Sequence, residues 1–175
     1  MSPKHAKKLI LNRDQIRHEI ERLAEEIRRD YMHKTPLLVG ILKGSFVFMA
    51  DLIRVLNMPV EVDFVKLASY GAGTTSSGEV KVIQGLESPI EGKDVLVVED
   101  IIDSGITLSF FLDHLRDRRA ASVRLCVLVD KIARRQVHVP VDYVGIQVQD
   151  EFVVGYGIDY NEQFRHLPDL YAIED

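Results

Sequence analysis

Glu99 and Asp100 stand side by side, and Asp103-Ser104-Gly105-Ile106-Thr107 follows almost at once. Adjacent carboxylates accept hydrogen bonds from sugar hydroxyls or hold a divalent cation. A short turn of Asp, Ser, Gly and Thr offers backbone N–H groups and two hydroxyls. Where such a turn opens a helix, the positive end of the helix dipole completes a cradle for phosphate. Two carboxylates beside a phosphate cradle point to a ligand with both hydroxyls and phosphate, such as a ribose phosphate.

The elements that must hold these residues are legible around them. Val95-Leu96-Val97-Val98 is a continuous apolar run, as expected inside a parallel sheet, and the strand is expected over Asp94–Glu99, ending at the acidic pair. Thr107 to Arg118 reads as a helix, with Leu108, Phe111, Leu112 and Leu115 on one face. In open parallel sheets ligands bind at the carboxyl ends of the strands, which is where this turn falls.

The same strand–loop–helix pattern occurs earlier. Leu37–Leu42 is an apolar strand, Lys43-Gly44-Ser45 a loop, and Phe46 to Leu56 a helix. Lys43 reads either as a solvated turn lysine or, beside a glycine at a strand end, as a phosphate ligand. Ser122 to Val129 is a further apolar strand that ends at Asp130-Lys131, so Lys131 has an equivalent place. Residues 14–31 carry Ile16, Ile20, Leu23, Ala24, Ile27 and Tyr31 at helical spacing, with Asn12 and Gln15 in capping-box positions. Val60 to Leu67 and Tyr143 to Val148 read as strands, and Glu79 to Ile83 as a returning strand.

Between them, the run from Ala68-Ser69-Tyr70 to Gly78 is rich in Gly, Ser and Thr and has little to bury. It reads as a mobile loop, either a lid or an inert hairpin connection. From Asp150 to Arg165 aromatics alternate with glycine and charge in a pattern that fits neither strand nor helix. Phe152 and Tyr156 there suit core packing or stacking on a flat base.

Composition sets the class. A chain of 175 residues with 46% apolar and 28% charged side chains is expected to form one soluble domain. A formal charge of -5 argues against a general nucleic-acid binder. The single cysteine, Cys126, lies in an apolar strand and reads as a small buried hydrophobe, which fits a reducing, cytoplasmic setting. There is no apolar signal segment after the basic N-terminus, and no run approaches the roughly 18 residues of a membrane span. The six histidines form no zinc pattern. Walker, dinucleotide-fold and nucleophile-elbow motifs are absent.

Val95 to Leu108 resembles the phosphoribosyl pyrophosphate (PRPP) motif of type I phosphoribosyltransferases: apolar residues, two acids, two apolar residues, then Asp-Ser/Thr-Gly-x-Thr. Ile41-Leu42-Lys43-Gly44-Ser45, Leu67-Ala68-Ser69-Tyr70, Val129-Asp130-Lys131 and Glu151 to Tyr160 are similar, in order and spacing, to hypoxanthine-guanine phosphoribosyltransferases. The resemblance runs from about residue 10 to the end.

It implies an α/β fold of the type I phosphoribosyltransferase kind: a mainly parallel twisted sheet flanked by helices, with a small hood formed by terminal segments. Residues 1–175 are expected to be a single domain, with an active-site loop at about 69–79 and a hood from the N-terminal residues and about 150–175. The implied reaction is purine salvage, in which hypoxanthine or guanine plus PRPP gives IMP or GMP plus pyrophosphate. Asp103, Ser104, Gly105, Ile106 and Thr107 would hold the 5′-phosphate. Glu99 and Asp100 would hold the ribose hydroxyls, directly or through Mg2+. Lys43, Gly44 and Arg165 would meet pyrophosphate, with the peptide before Lys43 often cis in this family. Lys131 would donate to the exocyclic oxygen of a 6-oxopurine. Phe152 would stack on the ring, the Val153 backbone would read its edge, and Asp159 would face a second Mg2+. Ser69 and Tyr70 would belong to the closing loop, and Asp103 would be the general base. A homodimer or homotetramer is expected, without nucleic-acid or membrane partners.

Three rivals compete with this reading. A receiver domain is excluded by length, since only 75 residues follow Asp100. A regulatory relative that binds RNA conflicts with the acidic charge. A transferase for adenine, uracil or orotate shares the PRPP motif, but a lysine beside an aromatic favours a 6-oxopurine, with a carbonyl in place of adenine's amino group; among 6-oxopurines, xanthine stays open beside hypoxanthine and guanine.

Overall fold

The computed structural model describes residues 6–70 and 79–174. In chain order its elements are β1 (Ala6–Leu11), α1 (Arg13–Asp30), β2 (Leu37–Leu42), α2 (Phe46–Leu56), β3 (Glu61–Tyr70), β4 (Glu79–Gln84) and β5 (Asp94–Ile102). There follow α3 (Ile106–Asp117), β6 (Ser122–Lys131), a turn of 3-10 helix (Ile132–Arg134), β7 (Tyr143–Val148), β8 (Phe152–Val154) and β9 (Leu170–Glu174).

The uninterrupted apolar runs take the centre of a six-stranded sheet, ordered β4-β3-β2-β5-β6-β7. All its pairings are parallel except β3 with β4. Strands β2, β5 and β6 need apolar side chains on both faces because both faces are covered. Helices α1 and α2 lie on one face, where Ile20, Leu23, Ile27, Phe48 and Leu52 pack against Leu38, Leu96, Val98 and Leu128. Helix α3 covers the other face, with Phe111, Leu112 and Leu115 against Val39, Val95, Val97 and Val127. Helix α1 begins as its sequence dictates: Asn12 Oδ1 accepts from the N–H groups of Asp14 and Gln15, and Gln15 Oε1 accepts from Asn12 N–H.

The chain leaves β2 for β3 in one direction across the sheet and leaves β5 for β6 in the other. The two central neighbours therefore form a topological switch point, and their diverging loops open a crevice at their carboxyl ends. Above it lies a second, three-stranded antiparallel sheet, β1-β9-β8, built from the two ends of the chain.

Several elements differ from expectation. β3 takes in Ala68, Ser69 and Tyr70 of the expected loop because they pair with β4, and β6 runs on to Lys131 by pairing with β7. β5 does not stop at the acidic pair but continues to Ile102, because Ile101 and Ile102 still pair with Val129 and Asp130 of β6. β1 forms from a polar, basic N-terminus whose partner, β9, lies at the far end of the chain. Within the irregular segment 150–165, Phe152–Val154 becomes β8 by pairing with that same strand.

Leu112 seats α3 beneath the phosphate cradle and is 2% exposed. Leu112→Ala should lower unfolding free energy by about 2–5 kcal/mol, the range for truncating a buried leucine. Urea titration followed by circular dichroism measures this.

Candidate active site

Near the end of the central strand β5, Glu99 is half-buried and Asp100 buried. Asp100 is 8% exposed, and its N–H donates to Glu99 Oε1 at 3.0 Å. Burial raises the Glu99 carboxyl well above its usual range, and the neighbouring Asp100 charge adds to the effect. Burial also raises Asp100, against the hydrogen bond from its neighbour. Two carboxyls so placed favour a bound cation or hydrogen-bond donor, either of which restores their charged forms.

The loop after β2 passes directly beneath Asp100. The Leu42–Lys43 peptide is cis. A Cβ on Gly44 would lie 1.8 Å from Asp100 Oδ2, so only glycine fits. On its other side Gly44 meets Gly157, whose φ is +93° and whose added Cβ would lie 2.8 Å from the Gly44 carbonyl oxygen. Three chain segments thus stack without intervening side chains.

Residues 103–105 turn from β5 into α3. Gly105 is the N-cap residue at φ +83°, and no side chain caps the helix from it. One weak bond, from Ile106 N–H to Ser104 Oγ at 3.4 Å, is made within the turn. Ser104, Gly105 and Thr107 line a cleft of about 170 Å3 together with Glu99 and Asp103. This arrangement suits an anion. The Ser104 carbonyl accepts from Gln136 and Val137 N–H at 2.9 and 3.3 Å, which ties the cradle to the loop after Lys131.

Lys131 ends β6 at only 5% exposed. Its Nζ lies 3.7 Å from Asp103 Oδ2 and 5.3 Å from the centroid of the Phe152 ring. Phe152 is 49% exposed, which leaves ring surface open on this side of the site, and Tyr160 meets it edge-on at 6.2 Å. Val153 is buried in β8, an edge strand of its sheet. Beneath Lys131, Arg135 pairs with Asp130 at 2.8 Å with both side chains largely buried.

On the opposite side, Arg165 pairs with Asp159 at 2.8 Å and donates to the Gly157 carbonyl at 2.8 Å. Lys43 Nζ pairs with Glu162 at 2.9 Å. The fold therefore brings Lys43, Gly44, Glu99, Asp100, Asp103 to Thr107, Lys131, Phe152, Val153, Asp159 and Arg165 to one end of the central sheet. Ser69 and Tyr70 end β3, opposite Val80 and Glu79, while residues 71–78 of the expected loop lie outside the described residues.

Sequence reasoning missed Arg134 and Glu162. Arg134 Nε bridges Asp103 and Asp150 at 3.3 and 3.2 Å. Neither residue lies in a recognisable motif, and only the tertiary contacts reveal them. A cleft of about 620 Å3 lies apart from the acidic pair and the cradle, between α1, α2 and residues 165–168. No helix among the described residues is long and apolar enough to cross a membrane. The free Cys126 thiol is buried in β6, and burial pushes its ionisation upward.

A parallel sheet with a phosphate cradle and an acid pair at its switch point defines an α/β protein built to bind a phosphorylated sugar. Comparison with known proteins narrows the class. Residues 8–161 match the phosphoribosyl transferase domain, and the chain belongs to that family. It is 47% identical over 167 residues to the hypoxanthine phosphoribosyltransferase of Salmonella typhimurium, covering 94% of each chain. It is 44% identical over 161 residues to the hypoxanthine-guanine phosphoribosyltransferase of Bacillus subtilis, covering 92% of this chain and 89% of the relative. The crystal structure of a Staphylococcus aureus hypoxanthine phosphoribosyltransferase superposes with a TM-score of 0.92 at 41% identity, over 95% of this chain and 91% of that one. A Listeria monocytogenes bifunctional protein TilS/HprT is 49% identical, but there the match spans only 25% of the longer chain.

Gly105→Ala should destabilise the protein by about 1–2 kcal/mol, the cost of a left-handed conformation for a residue with a Cβ. That Cβ would also lie 3.0 Å from Val139 Cγ2. Chemical denaturation of the variant against the parent checks this.

Proposed function

We propose that the chain transfers the 5-phosphoribosyl group of PRPP to hypoxanthine or guanine, giving IMP or GMP and pyrophosphate. One observation carries the reading of the base: Lys131, Asp103 and the exposed face of Phe152 converge beside the phosphate cradle. A flat ring stacked on Phe152 meets an ammonium that donates to a carbonyl and has no acceptor for an amino group. This favours a 6-oxopurine over adenine.

The cradle from Asp103 to Thr107 holds the 5′-phosphate through backbone N–H groups. Glu99 and Asp100 take the ribose hydroxyls. Bond formation between a ring nitrogen of the purine imidazole and the anomeric carbon accompanies loss of the carbon–oxygen bond to pyrophosphate. The base must then give up its imidazole proton. Asp103 sits between the cradle and Lys131, and it accepts that proton. Lys43 and Arg165 face the departing diphosphate, and their positive charge stabilises it as it forms.

Among the described residues no group of three or more acidic, histidine or cysteine side chains forms a metal cage. Mg2+ ordinarily takes one or two carboxylates and completes its shell with phosphate oxygens and water. Glu99 with Asp100, and Asp159, fit that requirement. Bound there with PRPP, Mg2+ would neutralise the diphosphate leaving group. Residues 69–79 serve as a lid that keeps water from PRPP. Residues 1–175 act as one domain in a cytoplasmic homodimer or homotetramer, and Phe46, 45% exposed, offers apolar surface for the contact.

Steady-state assays with hypoxanthine, guanine, xanthine and adenine, each with PRPP and Mg2+, test the assignment. Base-dependent pyrophosphate release is expected with hypoxanthine or guanine, and its absence with every base would overturn the reading. Asp103→Asn should lower kcat by roughly 10²–10⁴-fold, as for loss of a positioned base. Turnover near the parent's would remove Asp103 from that role.

A further inference from the structure

The turn at Tyr160-Asn161-Glu162-Gln163 is built against its own conformational preference. Tyr160 and Gln163 exchange backbone hydrogen bonds at 3.2 and 3.0 Å. Both residues between them are left-handed, Asn161 at φ +51° and Glu162 at φ +61°. Two-residue loops of this hand favour Asn-Gly, because glycine adopts positive φ without a Cβ clash. Asn161 meets the preference and Glu162 does not. Residues held in such conformations gather at ligand sites, where the surroundings over-determine them.

Core packing does not explain Glu162, whose side chain is 66% exposed. Its contacts do. The Glu162 N–H donates to Asp159 Oδ2 at 2.8 Å. Its two carboxylate oxygens accept from Lys43 Nζ at 3.0 and 2.9 Å, and Arg165 Nη2 lies 3.6 Å away. The carboxylate thus faces both cations assigned above to pyrophosphate. Carboxylate and phosphate oxygens bind such cations in the same way.

We propose that Glu162 is an internal competitor for the pyrophosphate subsite. Between turnovers its carboxylate holds Lys43 and approaches Arg165. Arrival of the diphosphate group displaces it, and its return helps expel the pyrophosphate product. The strained turn keeps the carboxylate within reach of both cations throughout. This rests on the reading of Lys43 and Arg165 as the pyrophosphate cations.

Glu162→Gln and Glu162→Gly test it in the full chain with Mg2+ and saturating hypoxanthine. Both should lower the KM for PRPP and the inhibition constant of pyrophosphate together, by about two- to five-fold, the range an exposed ion pair supports. The KM for hypoxanthine should stay constant. Glu162→Gly restores the preferred turn residue and should melt no lower than the parent, so a folding defect cannot mimic the effect. Unchanged or raised PRPP and pyrophosphate constants in both variants overturn the proposal. Lys43→Met separates it from its foundation. Raised PRPP and pyrophosphate constants in that variant, with none of the expected change at Glu162, refute the competitor alone. Unchanged constants in Lys43→Met refute the subsite assignment and the competitor with it.

Discussion

The structure depends on a close approach of backbone to carboxylate. The loop after β2 sets Gly44 against Asp100, and Gly157 closes over Gly44 from the terminal segment. No side chain fits between these three layers. Two neighbouring strands must therefore end at the same height, with a third segment folded down on them. The switch point between β2 and β5 meets the first demand, because the loops that leave it diverge and leave the crevice open. β2 is itself adapted for the approach. A Cβ on Gly40 would meet the Phe64 ring at 2.8 Å, and buried Ser45 donates its hydroxyl to the Ile41 carbonyl at 2.7 Å.

Charge in the crevice is arranged in small linked groups of opposite sign. Asp103 lies between Lys131 and Arg134, Asp130 faces Arg135, and Lys43 and Arg165 face Glu162 and Asp159. The Asp130–Arg135 pair is the most buried of these. Breaking such a pair leaves an uncompensated charge, so it fixes the strand end that carries Lys131 more firmly than a surface pair does. The Ser104 carbonyl links that same loop to the phosphate cradle. Lys131 and the turn from Asp103 to Gly105 are consequently tied to one short segment, residues 131–139. Burial holds the carboxyls of Glu99 and Asp100 above the ordinary range, although the Arg165 charge acts to lower Asp100.

Legibility in the sequence followed the range of the interactions. The apolar strand Leu37–Leu42 and the helix Phe46–Leu56 matched their expected limits, because continuous burial and helical spacing are local signals, and the half-buried strand Tyr143–Val148 matched as well. The Asn12–Gln15 capping box was readable for the same reason. β5 outran its expected end because pairing with β6 outweighed the cost of enclosing Asp100. β1, β8 and β9 gave no local signal, since each is a strand only through a partner remote in sequence, except for the shorter link between β8 and β9.

By itself the sequence determined the chemistry available: paired acids, a phosphate turn, lysines at two strand ends and an aromatic for a flat ring. Those are properties of residue types and short spacings. Only the tertiary structure decided which groups meet. It put Arg134 on Asp103, placed Glu162 between Lys43 and Arg165, and reserved Gly44 and Gly157 for backbone contact. Glu162 and Lys43 are far apart in sequence, and no propensity or periodicity relates them. Their distance is set by the packing of the terminal segment on the switch point, a property of the whole fold.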